Sequence, residues 1–152
     1  MKPAEFIEAL TPGAQAAQRY TGVPASVTIA QGALESGWGS HTPGNAIFGI
    51  KADSSWRGKR QMLGTNEVIH GRTVRVRAAF RAYSSWAASV EDHADFIKKN
   101  PRYAPAFKHT DDGIAFAQAI ADAGYATDPD YARDLVLIIH AHNLLKLDKP
   151  EA

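Results

Sequence analysis

Helical periodicity opens the chain. Residues 4–20 repeat their apolar positions at helix spacing, and the run carries a break or restart at Thr11-Pro12-Gly13. Gly22 stops it. Pro24 and Ser26 open a second helix over roughly 24–36, with Val27, Ala30, Ala33 and Leu34 forming an apolar face and Gly37 ending it. The pattern then dissolves. Residues 38–64 are rich in Gly, Ser and Pro and read as loop, with Ala46-Ile47-Phe48-Gly49-Ile50 as a short ordered piece. A period of two follows. Val74, Val76, Ala78, Phe80 and Ala82 alternate with Arg75, Arg77, Ala79, Arg81 and Tyr83, the mark of a half-buried strand. Its expected partner is Glu67-Val68-Ile69, turned at His70-Gly71.

The remainder returns to helix. One runs from Ser85 to Lys99 and stops before Pro101. A second starts at Asp111 or Asp112 and ends at Gly124. A third starts at Asp128-Pro129, an N-cap followed by Pro, and carries Tyr131, Leu135, Val136, Ile138 and Ile139 into the core. Trp86 and Phe80 are also expected in the core. Helices around one small hairpin make a mainly helical α+β architecture, and 152 residues suit one domain, 1–152.

Composition narrows the function. A net charge of +1 gives no long-range attraction for nucleic acid. The absence of cysteine excludes disulfides and thiolate chemistry. The N-terminal Met1-Lys2-Pro3-Ala4-Glu5-Phe6-Ile7-Glu8 lacks the ~7–15-residue apolar stretch of a secretory signal. No segment reaches the ~18 apolar residues of a membrane span, so no membrane insertion is expected. His140 and His142, two apart on a helix, point in different directions, and no metal set is expected.

Two carboxylates stand out. Glu35 falls in the last turn of its helix, at the negative end of the helix dipole, where the charged form is disfavoured. Leu34 and Trp38 are expected to desolvate it further. Both effects raise a carboxyl pKa, as a general acid near neutral pH requires. Glu67, at the start of the hairpin, is a candidate second carboxylate for glycosidic hydrolysis, which usually sets two acids across the scissile bond. Trp38, Phe48, Trp56, Tyr83, Trp86, Tyr103 and Tyr125 offer flat apolar surfaces of the kind sugars stack on. Arg72, Arg75, Arg77 and Arg81 make the hairpin basic; such a row usually forms a solvated strand face.

The run Ala30-Gln31-Gly32-Ala33-Leu34-Glu35-Ser36-Gly37-Trp38-Gly39 resembles glycoside hydrolase family 73, the N-acetylglucosaminidases of autolysins, phage lysins and the flagellar rod-cap muramidase. Further blocks follow in that family's order: Asn45 to Lys51, Thr65-Asn66-Glu67, Phe80 to Trp86, Pro101 to Ala104 and Gly124 to Ala132. Two positions depart from it. His70-Gly71 stands where Asn-Gly or Asp-Gly is common, and Ile47 where leucine is usual.

The resemblance implies a lysozyme-like fold, with a hairpin lobe over a glycan groove. It implies Glu35 as general acid, Glu67 as second carboxylate, Tyr125 beside the acid, and Asn45, Phe48 and Tyr83 lining or shaping the cleft. The implied activity is that of an endo-β-N-acetylglucosaminidase acting on peptidoglycan glycan strands, as a monomer, with no metal or organic cofactor. Without a signal, it would reach the periplasm or cell wall after release or delivery. The competing readings are a lytic transglycosylase or muramidase acting on the other β-1,4 bond, and a non-catalytic cell-wall-binding module.

Overall fold

A computed structural model describes residues 1–148. Helix α1 (Pro3–Thr21) starts on Pro3, with the Glu5 carboxylate accepting the Lys2 backbone N–H at 3.1 Å. It buries Phe6, Leu10, Ala14, Ala17 and Thr21 along one stripe. It runs unbroken through Pro12, contrary to the break expected there. That stripe lies on both sides of Pro12, so burying it in one piece outweighs the hydrogen bond that proline forfeits. Gly22, at φ 90°, closes the helix by donating to the Gln18 carbonyl at 2.8 Å.

Helix α2 (Ala25–Ser36) is the central element. Every residue from Ala25 to Ala33 is buried, so it has no polar face. Leu34, expected on the apolar face, is instead 37% exposed at the end that leaves the core. Gly37 (φ 58°) ends the helix by donating to the Ala33 carbonyl. Gly39, at φ 84°, lies under Trp86: a Cβ there would fall 2.7 Å from the indole. Gly39→Ala should therefore lower the unfolding temperature. The cost combines ~1–2 kcal/mol of left-handed backbone strain with a displaced Trp86, and an unchanged melting curve would contradict this packing.

The chain then crosses to the hairpin, β1 (Lys59–Ile69) and β2 (Arg72–Ala82), paired antiparallel from Lys59↔Ala82 to Ile69↔Arg72. Strand β1 is far longer than the 67–69 expected, and Glu67 lies near its end, not its start. Its half-buried positions are Gln61, Leu63, Thr65 and Glu67. The alternation is real, but polar side chains carry it, so hydropathy hides it. The His70-Gly71 turn has both residues at positive φ, 52° and 77°, which matches a type I′ hairpin. The short piece at 46–50 docks on β2: the Arg81 N–H donates to the Ile50 carbonyl at 2.9 Å and the Ala52 N–H to the Ala79 carbonyl at 3.0 Å.

Helix α3 (Trp86–Lys99) is capped by Ser85, whose hydroxyl accepts from the Ala88 N–H, and stops at Asn100. A 3-10 segment, Pro101–His109, leads to α4 (Gly113–Asp122), capped by Asp112. Helix α5 (Tyr131–Ala141) begins later than the Asp128-Pro129 start expected. Asp128 accepts from the Asp130 N–H in a local turn and caps no helix. Tyr131, Leu135 and Ile139 are buried, whereas Val136 and Ile138 are only half-buried. Trp86 is half-buried, edge-on to Phe6; Phe80 lies outside the core, for a reason given below. No helix among the described residues is long and apolar enough to cross a membrane.

Candidate active site

Glu35 emerges where α2 leaves the core. A crevice of about 120 Å³ separates it from the hairpin; Phe48, Gly49, Leu63, Gly64 and Phe80 form its walls. Phe80 is half-exposed because it lines this crevice. A larger hollow of about 440 Å³ lies between α1 and α3, but it gathers none of the candidate site residues.

The Glu35 residue is open to solvent on its crevice side while protein crowds the rest of its carboxyl. That burial pushes its pKa up to about 7, against the hydrogen bond from Tyr125 and the polar Gly49 backbone and Tyr131 hydroxyl nearby, which pull it down. The Tyr125 hydroxyl donates to Glu35 Oε2 at 2.9 Å. The elevated value matches the expectation, but the surroundings differ from it. Trp38 turns inward, edge-on to Phe6 at 5.8 Å and to His142 at 4.9 Å, and Leu34 faces outward. The Tyr125 hydroxyl holds the carboxyl instead.

The Tyr125 and Tyr131 rings stack at 5.5 Å between centroids, 13° from parallel. Tyr131, assigned to the core from its periodicity, is indeed buried, and burial together with the nearby Glu35 charge raises its own hydroxyl pKa. His93, wholly buried, stacks on Phe48 at 3.8 Å and meets Tyr125 edge-on at 6.1 Å. Burial depresses its pKa to about 3, so it is neutral at any working pH.

Glu67 does not reach this cluster. It shares the Leu63 face of β1, which faces the crevice, but four residues on, about 13 Å further along the strand. There it pairs with Lys51. Phe48 is 1% exposed and shows only an edge to the crevice. Tyr83 and Asn45 do not line the crevice beside Glu35, contrary to one sense of the expectation. The Asn45 amide donates to the Tyr83 carbonyl at 3.0 Å, and the Tyr83 hydroxyl donates to Asp92 Oδ2 at 2.6 Å. Both therefore shape the hairpin base.

Asp92 also accepts two hydrogen bonds from Arg81 Nη1, at 3.0 and 3.1 Å, and Arg81 lies 4.6 Å over the Trp56 ring. Arg81 is thus a clamp between β2 and α3, not part of a solvated arginine face. Arg75 and Arg77 remain exposed.

The profile of the glucosaminidase family, described as mannosyl-glycoprotein endo-β-N-acetylglucosaminidase, matches residues 11–144. The chain belongs to the glucosaminidase family. This glucosaminidase domain is similar to peptidoglycan hydrolase FlgJ of Vibrio cholerae, at 43% identity over 142 residues, covering 90% of this chain and 42% of that protein. It is also similar to exo-glucosaminidase LytG of Bacillus subtilis, at 34% identity over 95% of this chain and 53% of that protein. Among solved structures it resembles a peptidoglycan hydrolase mutant from Sphingomonas sp. A1, with TM-score 0.80 and 39% identity, covering 96% and 97% of the two chains. The chain spans about half or less of the curated relatives it matches. As a member of this family it is a glycoside hydrolase, with the lysozyme-like arrangement of helical body and hairpin that its solved relatives share.

Three contributors to the glucosaminidase site escape sequence reasoning. The Gly49 backbone has no side-chain signature. Tyr131 reads as core, and only Gln31 carries a usable signal: it lies one helical turn before Glu35, on the same face of α2.

Proposed function

We propose that this domain cuts the glycan strands of bacterial peptidoglycan at the β-1,4 bond after N-acetylglucosamine, acting inside the strand as a monomer in the periplasm or cell wall. The supporting observation is a carboxyl raised to about 7, opening on a crevice under the hairpin, with a tyrosine hydroxyl on its oxygen. At neutral pH a large fraction of Glu35 holds a proton to give away.

Glu35 donates that proton to the glycosidic oxygen. The C1–O bond breaks, the leaving sugar departs as an alcohol, and positive charge develops at C1. The Tyr125 hydroxyl then stabilises the carboxylate left behind. Either a water adds to C1 from the other face, giving its proton to Glu67, or the substrate's own acetamido oxygen closes on C1 and a water then opens that ring, giving its proton to the Glu35 carboxylate. Glu67 takes the water route only if the hairpin closes and Glu67 exchanges Lys51 for the water, a movement of the kind lids commonly make.

The activity itself is tested on purified sacculi: the domain should release soluble fragments, and intact sacculi after prolonged exposure would remove the reading. Glu67→Gln should lower turnover and leave stability nearly unchanged, since an exposed ion pair with Lys51 is worth ~0–1 kcal/mol. Turnover and thermal unfolding measured on the same preparation check this. Full activity would assign the second step to the acetamido group alone.

A further inference from the structure

Gln31 is wholly buried on a helix whose other interior residues are almost all small or apolar. Its Oε1 has no hydrogen-bond partner. A buried, half-satisfied amide costs stability, and methionine would fill the same space without that cost. Packing therefore gives no reason for glutamine here. What the amide does is donate from Nε2 to the Tyr131 hydroxyl oxygen at 3.0 Å.

A tyrosine hydroxyl has one proton and accepts through its oxygen. With Gln31 donating to that oxygen, the proton of Tyr131 is free only for another acceptor, and the Glu35 carboxyl is held by Tyr125, the ring stacked on Tyr131. An N–H donated to a hydroxyl also polarises it into a stronger donor. We propose that Gln31 is a positioning residue: its amide fixes the Tyr131 hydroxyl so that its proton points at Glu35, making a relay from the interior of α2 to the acid at its end. The relay runs beside the direct Tyr125 contact, and the ring of Tyr131 stacks on that of Tyr125. Its importance to catalysis rests on the reading of Glu35 as the acid; its existence does not.

The titratable groups around Glu35 are Tyr125 and Tyr131, Tyr103 at 6.0 Å from Tyr125, His93 behind Tyr125, and His41 on the crevice wall. Substituting Gln31 changes none of them covalently. The relay lowers the Glu35 pKa, so breaking it raises that pKa.

The test is a carboxyl-carbon NMR titration of Glu35 in wild type, Gln31→Met, Tyr131→Phe and the double variant, with Gln31→Asn, whose amide is too short to reach, as a polar alternative should methionine impair folding. Gln31→Met and Gln31→Asn should each raise the Glu35 midpoint by roughly 0.5 of a pH unit, and neither should raise it further once Tyr131 is phenylalanine. A Glu35 midpoint unchanged in both single variants would overturn the proposal, as would a shift of equal size in the Tyr131→Phe background. Cell-wall turnover recorded in parallel separates the two claims. If Glu35 titrates as predicted but Glu35→Gln retains activity, the catalytic reading fails and the relay stands.

Discussion

Glu35→Gln should fold normally and lose about 10²–10⁴-fold of its turnover, the usual contribution of a general acid. Glutamine keeps the size and most of the hydrogen bonding of the carboxyl but has no proton to transfer. The same substitution should change stability in a direction set by the raised pKa. In the folded protein Glu35 releases its proton near pH 7, against 4.5 for its ordinary value. Between those values the folded state binds more protons than the unfolded one, so stability falls as pH rises through the window. Above about pH 7 the wild type carries the full penalty of a crowded carboxylate, which the neutral amide of the variant lacks. The variant should therefore melt at higher temperature than wild type at pH 8, with the gap closing as pH drops towards 4.5. Activity of the wild type should fall on the alkaline side of about pH 7 for the same reason. A folded Glu35→Gln protein that clears cell walls at the wild-type rate would refute the assignment.

Asp92→Ala should be the most damaging substitution away from the acid. Asp92 accepts two hydrogen bonds from Arg81 and one from Tyr83, and the Arg81 and Asp92 side chains are only 12% and 17% exposed. Removing the carboxylate leaves a nearly buried guanidinium without its counter-charge, which costs ~3–5 kcal/mol for a fully buried pair and somewhat less here. The damage is also positional. Arg81 and Tyr83 tie the foot of β2 to α3, and β2 carries Phe80 on the crevice wall. We expect a large drop in unfolding temperature and, in whatever remains folded at low temperature, weaker substrate binding. Urea unfolding and KM, both measured in the cold, check the two effects. A variant with wild-type midpoint would show that the clamp contributes nothing.

Where a boundary is set by local chemistry, the sequence expresses it. Gly22 and Gly37 stop their helices, Ser85 and Asp112 start theirs, and each does so through a hydrogen bond or a φ value internal to a few residues. Elements defined by distant partners are harder to read. The inward positions of β1 include Gln61 and Thr65, so its alternation exists in burial but not in hydropathy. Pro12 looks like a break until the stripe it interrupts is seen to bury as a unit. Asp128-Pro129 has the chemistry of a helix start and makes a turn instead, because the Asp128 carboxylate accepts the Asp130 N–H and the helix begins only at Tyr131.

The site divides the same way. Glu35 at a helix end is legible from position and from its family motif. The contact with Tyr125, 90 residues away, comes only from the resemblance. Tyr131 is hidden because it is buried like core, and periodicity cannot separate a buried side chain that only packs from one that also accepts a hydrogen bond, as Tyr131 does from Gln31.

The central claim is the bond that is cut, and the chemistry of the new ends reports it directly. Peptidoglycan digested by the domain, reduced with borohydride and analysed by mass spectrometry should carry N-acetylglucosaminitol at its new reducing ends. Muramitol ends would mean the other β-1,4 bond is the one hydrolysed, and 1,6-anhydro-muramic ends would mean that no water enters at all; either result would contradict the account.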